Sequence, residues 1–173
     1  DEPNEVVHQI MDYCRLDRVQ LHGSEPPDEV SRFDGRAFKA LRLRRPEEAE
    51  TALMMYAPQE PPPDLLLDSF HPRVAGGTGE VGDWSLAAQV AQQRRIVLAG
   101  GLTPANVAAA IHQVRPWGVD VSSGVESFPG RKDLSAMRAF TAAVRAAADP
   151  DRTTGPRRPQ PGTDIERELR RTR

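Results

Sequence analysis

From Arg18 to Ala148, short apolar runs alternate with helical patterns, and this alternation constrains the fold more than any other feature of the 173 residues. Five runs read as strands: Arg18 to His22 (RVQLH), Ala37 to Leu43 (AFKALRL), Leu65 to Asp68 (LLLD), Arg95 to Ala99 (RIVLA) and Val119 to Ser122 (VDVS). Helical spacing of apolar residues precedes, separates or follows them at Pro3 to Tyr13, Pro27 to Phe33, Pro46 to Tyr56, Trp84 to Gln92, Pro104 to Val114 and Leu134 to Ala148. Strand, helix and strand in regular succession imply right-handed crossovers and a parallel sheet. Nearly every strand pattern breaks into glycine or polar residues, which suits a ring of loops at the mouth of a βα barrel. An open doubly wound sheet would instead gather its site at one reversal of strand order.

Two of those breaks say what such a fold would bind. Ile96 to Val107 (IVLAGGLTPANV) and Gly118 to Glu126 (GVDVSSGVE) each run from β-branched residues into small ones before a helical stretch. Gly100 and Gly101 lack a Cβ and let an anion approach the backbone amides, while Thr103-Pro104 reads as a helix start with a hydroxyl cap. Ser122, Ser123 and Gly124 offer amides and hydroxyls in the same way, so the pair of loops describes a phosphate site. Two tight βα turns with no ligand have the same composition.

Other residues stand where chemistry is done in such barrels. Asp68 closes an apolar strand, so its carboxylate belongs at the rim, where it can act as a general acid or serve as a capping aspartate. His22 ends the first strand and points to the same mouth, either to bind substrate or as a hydrogen-bonded packing residue. Gly76-Gly77-Thr78-Gly79 reads as a hinge-like loop able to close over a ligand, or as a surface turn. Cys14, beside Tyr13, reads as a buried helix residue rather than a nucleophile. The histidines lack metal-ligand spacing, so no metal site is expected.

Bulk properties exclude several alternatives. A net charge of −2 and an isoelectric point near 6.1 provide no field to draw nucleic acid or an anionic membrane surface. A single cysteine excludes an internal disulfide and fits a reducing cytoplasm. The chain opens on Asp1-Glu2-Pro3 directly before a helical pattern, which reads as an internal start. From Asp149 to Arg173 proline, arginine and acidic residues replace apolar ones, so residues 1–148 read as the folded domain and 149–173 as a disordered tail or linker.

VQLHG at Val19 to Gly23, LLLDS at Leu65 to Ser69, GGTG at Gly76 to Gly79, DW at Asp83-Trp84, LAGGLTPANV at Leu98 to Val107, GVDVSSGVE at Gly118 to Glu126 and the G-x-KD at Gly130 to Asp133 together resemble the phosphoribosylanthranilate isomerases. The motifs occur in family order and cover Pro3 to about Ala147. The resemblance implies a (βα)8 TIM barrel of which the last five βα units are visible, N-terminally incomplete. It also implies an Amadori rearrangement in tryptophan biosynthesis that needs no cofactor. Asp68 matches the family's general acid; His22, Gly76, Gly77, Gly100, Gly101, Ser122, Ser123 and Gly124 match positions around the phosphosugar substrate. The family's general base, a cysteine in a K-I-C-G segment, has no match in this sequence, and Cys14 does not replace it.

Three expectations follow. A barrel short of its first units exposes strand edges and apolar faces, so this chain alone is expected to be unstable and without isomerase turnover. The alternative is a non-catalytic phosphosugar-binding fragment. The tail suggests fusion to, or association with, another enzyme of the same pathway.

Overall fold

The computed structural model describes residues 2–69 and 84–148. Its main sheet has five parallel strands, β1 (Val19–Leu21), β2 (Ala37–Leu41), β3 (Leu65–Asp68), β4 (Ile96–Ala99) and β5 (Gly118–Val119), hydrogen-bonded in chain order. Helix α1 (Asn4–Cys14) precedes the sheet. The crossovers carry α2 (Pro27–Ser31), α3 (Pro46–Met55), α4 (Ser85–Ala91) and α5 (Val107–Val114), and α6 (Leu134–Ala147) follows β5. A doubly wound sheet reverses its strand order at a switch point, whereas this order has no reversal and is that of a barrel wall.

Strand periodicity sorts the side chains onto two faces. Leu65, Leu67, Ile96 and Leu98 point toward the helices and pack with Val90, Val107, Ala110 and Phe140 in the largest buried cluster. Alternate residues Ala40, Leu66 and Ala99, with Phe38 and Val97, form a second cluster on the opposite face. A third joins Met11 of α1 to Leu21, Val30, Phe33 and Ala37.

Local chemistry explains several boundaries. Pro27 and Pro46 occupy the first helical turn, where the missing N–H costs no bond, and acidic residues follow them to meet the positive end of the helix dipole. α6 begins at Asp133, whose carboxylate accepts from the Ser135 amide at 2.7 Å and the Ala136 amide at 3.0 Å. At the N-terminal ends of β3 and β4, buried Asp64 accepts from the Gln59 amide at 2.8 Å, the Arg95 amide at 2.7 Å and the Arg95 guanidinium at 3.0 Å. This clamps two neighbouring strands at the end away from the glycine loops.

Three expectations need correction. α5 begins at Val107, not at Pro104: the Thr103 amide donates to the Asn106 side chain at 2.8 Å, so residues 103–106 close a turn before the helix. Glu126–Phe128 (β6) and Arg131–Lys132 (β7) form an antiparallel hairpin where no strand was expected. Cys14 is exposed; it is the last residue of α1, and Met11, one turn earlier, is the only side chain that helix buries. Gly76, Gly77 and the tail at 149–173 lie outside the described residues. Among the described residues, no helix is long and apolar enough to cross a membrane.

Candidate functional site

The C-terminal ends of the strands open onto a cleft of about 330 Å3. Gln20 and His22 reach it from β1, Leu66 and Asp68 from β3, Ala99 to Leu102 from β4, and Asp120 to Gly124 from beyond β5. His22, Asp68, Gly100, Gly101, Ser122, Ser123 and Gly124, seven residues read from the sequence, therefore share one concavity.

Asp68 arrives there by strand alternation: it pairs in register with Ala99 and lies two residues beyond Leu66, on the same face. Its side chain is 12% exposed and forms an ion pair with Arg42, the residue just after β2. Ser69, next in the chain, donates its amide to the Ala99 carbonyl at 2.9 Å and its hydroxyl to the same oxygen at 2.9 Å. The end of β3 is thus tied to the start of the β4 loop, and Asp68 is held at the rim.

Gly100 and Gly101 have φ of +86° and +66°, a region that side chains with a Cβ rarely adopt, so the paired glycines are what this turn requires. Asn106 fastens the loop, accepting from the Thr103 amide and donating to the Gly101 carbonyl at 3.0 Å. The Ser122 to Gly124 loop lies directly against it, and a Cβ placed on Gly124 would stand 1.8 Å from the Leu102 carbonyl oxygen. The hairpin braces the second loop from outside. Lys132 Nζ donates to the Ser122 carbonyl at 2.9 Å and to Glu126 at 2.7 Å, while the Gly130 amide donates to Glu126 at 3.2 Å. The Lys132 hydrogen bond, then that of the Gly130 amide, holds the Glu126 carboxyl below the usual carboxylate range.

His22 is exposed, and its imidazole lies 3.5 Å from the Gln20 amide nitrogen. The loop carrying it is anchored from below by buried Lys39 of β2, whose ammonium donates to the Gly23 carbonyl at 2.7 Å and to Glu25 at 2.9 Å. Burial pushes the Glu25 carboxyl up, but the Lys39 hydrogen bond and charge, with the Gly23 amide, outweigh it and leave the group below its ordinary value. A carboxyl lowered in the folded state stabilises the fold above its unfolded value, and that stability is lost as pH falls through the folded one. Thermal melts from pH 7 to pH 3 should therefore show an acid limb below about pH 4.5 that Glu25→Gln flattens. At pH 7 the same substitution, which leaves a buried ammonium without its counter-charge, should lower the melting temperature by roughly 5 °C.

Sequence reading missed Arg42, Ser69, Asn106, Asp120 and Lys132. Ser69, Asn106, Asp120 and Lys132 lie inside motifs already singled out. Strand alternation carried past β2 would have placed Arg42 beside Asp68.

A parallel sheet in chain order, with helices on one face and a cleft built from the loops at the strand C-termini, defines a protein of the βα-barrel class. Within that class, the family model described as N-(5'phosphoribosyl)anthranilate (PRA) isomerase matches residues 1–143, and the chain belongs to this family. It is 47% identical over 142 residues to the N-(5'-phosphoribosyl)anthranilate isomerase of Pelobacter propionicus, a match covering 81% of this chain and 65% of that protein. The corresponding protein of Trichlorobacter lovleyi is 48% identical, with 81% and 66% covered. The chain thus spans about two thirds of the length of these relatives. Among solved structures, the phosphoribosyl anthranilate isomerase of Thermotoga maritima superposes with a TM-score of 0.72 at 38% identity, covering 84% of this chain and 70% of that one. A second, in complex with reduced 1-(o-carboxyphenylamino)-1-deoxyribulose 5-phosphate, superposes with a TM-score of 0.69 at 36% identity, covering 84% of this chain and 68% of that one.

Proposed function

We propose that this chain supplies the acid and the phosphate grip of an isomerase that converts N-(5-phosphoribosyl)anthranilate to 1-(2-carboxyphenylamino)-1-deoxyribulose 5-phosphate. The carrying observation is the meeting of Asp68 with both glycine-bearing loops in one cleft. The backbone of Gly100, Gly101 and Ser122 to Gly124 takes the phosphate and so fixes the ribose relative to Asp68. Asp68 then protonates the furanose ring oxygen; the C1–O bond breaks, and the anilino nitrogen lone pair closes a C=N bond to C1. Loss of the C2 proton to a base returns those electrons as an enolamine, which tautomerises to the ketone.

The family resemblance makes the base a cysteine, and the one cysteine of this sequence, Cys14, is exposed on α1 and outside the cleft lining. The five strands accordingly stand for the last five of an eight-stranded barrel. In support, β1 and β5 each have one sheet neighbour among the described residues. His22, Gly76 and Gly77 belong to the substrate surround in this reading. So do a cytoplasmic setting and attachment to, or association with, another enzyme of tryptophan biosynthesis through residues 149–173.

The test follows loss of phosphoribosylanthranilate fluorescence with the 173-residue chain alone and with the chain joined to the first three βα units of the Pelobacter propionicus relative. Turnover only in the joined protein is expected. If both forms bind phosphate and neither turns over, the chain is a phosphosugar-binding module and the catalytic reading falls.

A further inference from the structure

The ion pair beside the acid adds a residue to this chemistry. Arg42 follows β2 immediately, and the register that sets Leu41 against Leu67 sets Arg42 against Asp68. In the RLRRP segment Arg45 pairs with the Glu48 side chain, while Arg42 pairs with Asp68. Arg42 is not part of the cleft lining; its guanidinium reaches the site only through Asp68.

We propose that Arg42 is a positioning residue for the acid: its guanidinium aims the Asp68 carboxyl into the cleft and sets the pH range over which that carboxyl holds the proton it must deliver. The inference rests on the reading of Asp68 as the acid. A guanidinium against one carboxylate oxygen favours the ionised form, so it opposes protonation while restricting the side chain to one direction. Among the described residues, the other charged or titratable groups lining the cleft are His22 after β1 and Asp120 from beyond β5; the glycines that follow β4 bring none. Arg42 is thus a cation in direct contact with the Asp68 carboxylate.

The deciding experiment is a pH titration of the Asp68 carboxyl carbon by NMR in the joined protein labelled at aspartate, with the resonance assigned from Asp68→Asn. Arg42→Gln is expected to raise the midpoint by about one pH unit, a tenfold change in the ratio of protonated to ionised carboxyl at a given pH, while Arg42→Lys holds it near the parent value. In the joined protein, the alkaline arm of kcat/KM should move upward by the same amount and the acid-side plateau should fall about tenfold as aim is lost. A midpoint unchanged in Arg42→Gln overturns the proposal. Should that variant not fold, Arg42→Met, which keeps the length of the side chain without its charge, is titrated in its place, and an unchanged midpoint overturns the proposal. Absence of turnover with a shifted midpoint would count against the isomerase reading alone.

Discussion

Alanine at position 124 is expected to weaken phosphate binding at least a hundredfold and to lower the melting temperature by roughly 10 °C. The added Cβ would meet the Leu102 carbonyl oxygen at 1.8 Å, the Leu102 carbonyl carbon at 2.9 Å and the Thr103 Cα at 3.3 Å. All three are backbone atoms, so no rotamer change relieves the clash, and Leu102 is itself 2% exposed and cannot retreat without disturbing the core. The two loops would have to part, and a cradle that depends on their contact opens with them. Gly130→Ala is the internal control. That glycine has φ of +81° with nothing within 4 Å of where a methyl would stand, so only left-handed strain of about 1 kcal/mol is added, a shift of a few degrees. Calorimetric titration with inorganic phosphate and thermal melts of both variants check this. Parent-like affinity in Gly124→Ala would show that the loops do not act as one site.

Asp68→Asn is expected to reduce kcat by at least about a hundredfold, up to ten-thousandfold, in the protein joined to the three upstream units. Asparagine keeps the shape and can still accept from Arg42, but it has no proton to give to a ring oxygen. Since Arg42 is 42% exposed, its loss of a counter-ion is met by water and the melting temperature should change by no more than a few degrees. KM should move less than kcat because the phosphate loops are untouched. His22→Asn gives the contrast: an exposed imidazole lying only 3.5 Å from Gln20 is expected to cost less than tenfold. Steady-state kinetics with all three proteins decide it, and more than one tenth of parent kcat in Asp68→Asn would remove Asp68 from the role of acid.

Much of this architecture was legible because the signals were redundant. LLLD and RIVLA are bounded, β-branched or leucine-rich runs, and Pro27 and Pro46 mark helix starts that nothing contradicts. The glycine loops were legible because Gly100 and Gly101 need backbone angles that few residues adopt. The start of α5 was misread because Thr103-Pro104 has the composition of a cap; the competing turn is made by the Asn106 side chain, three residues on. The hairpin left no trace in periodicity, since its strands are exposed and short, and it is held by a turn at Gly130 and the Lys132–Glu126 pair. Arg42 was hidden among neighbouring arginines that differ only in register.

The Asp64–Arg95 clamp and the Asp68 rim sit at opposite ends of the same short strand, separated by four residues or about 13 Å. At that distance their energetic effects should add rather than interact. A laboratory lineage could therefore diversify the cleft loops toward other phosphorylated sugars while reinforcing the clamp independently, without new specificity having to be traded against foldability.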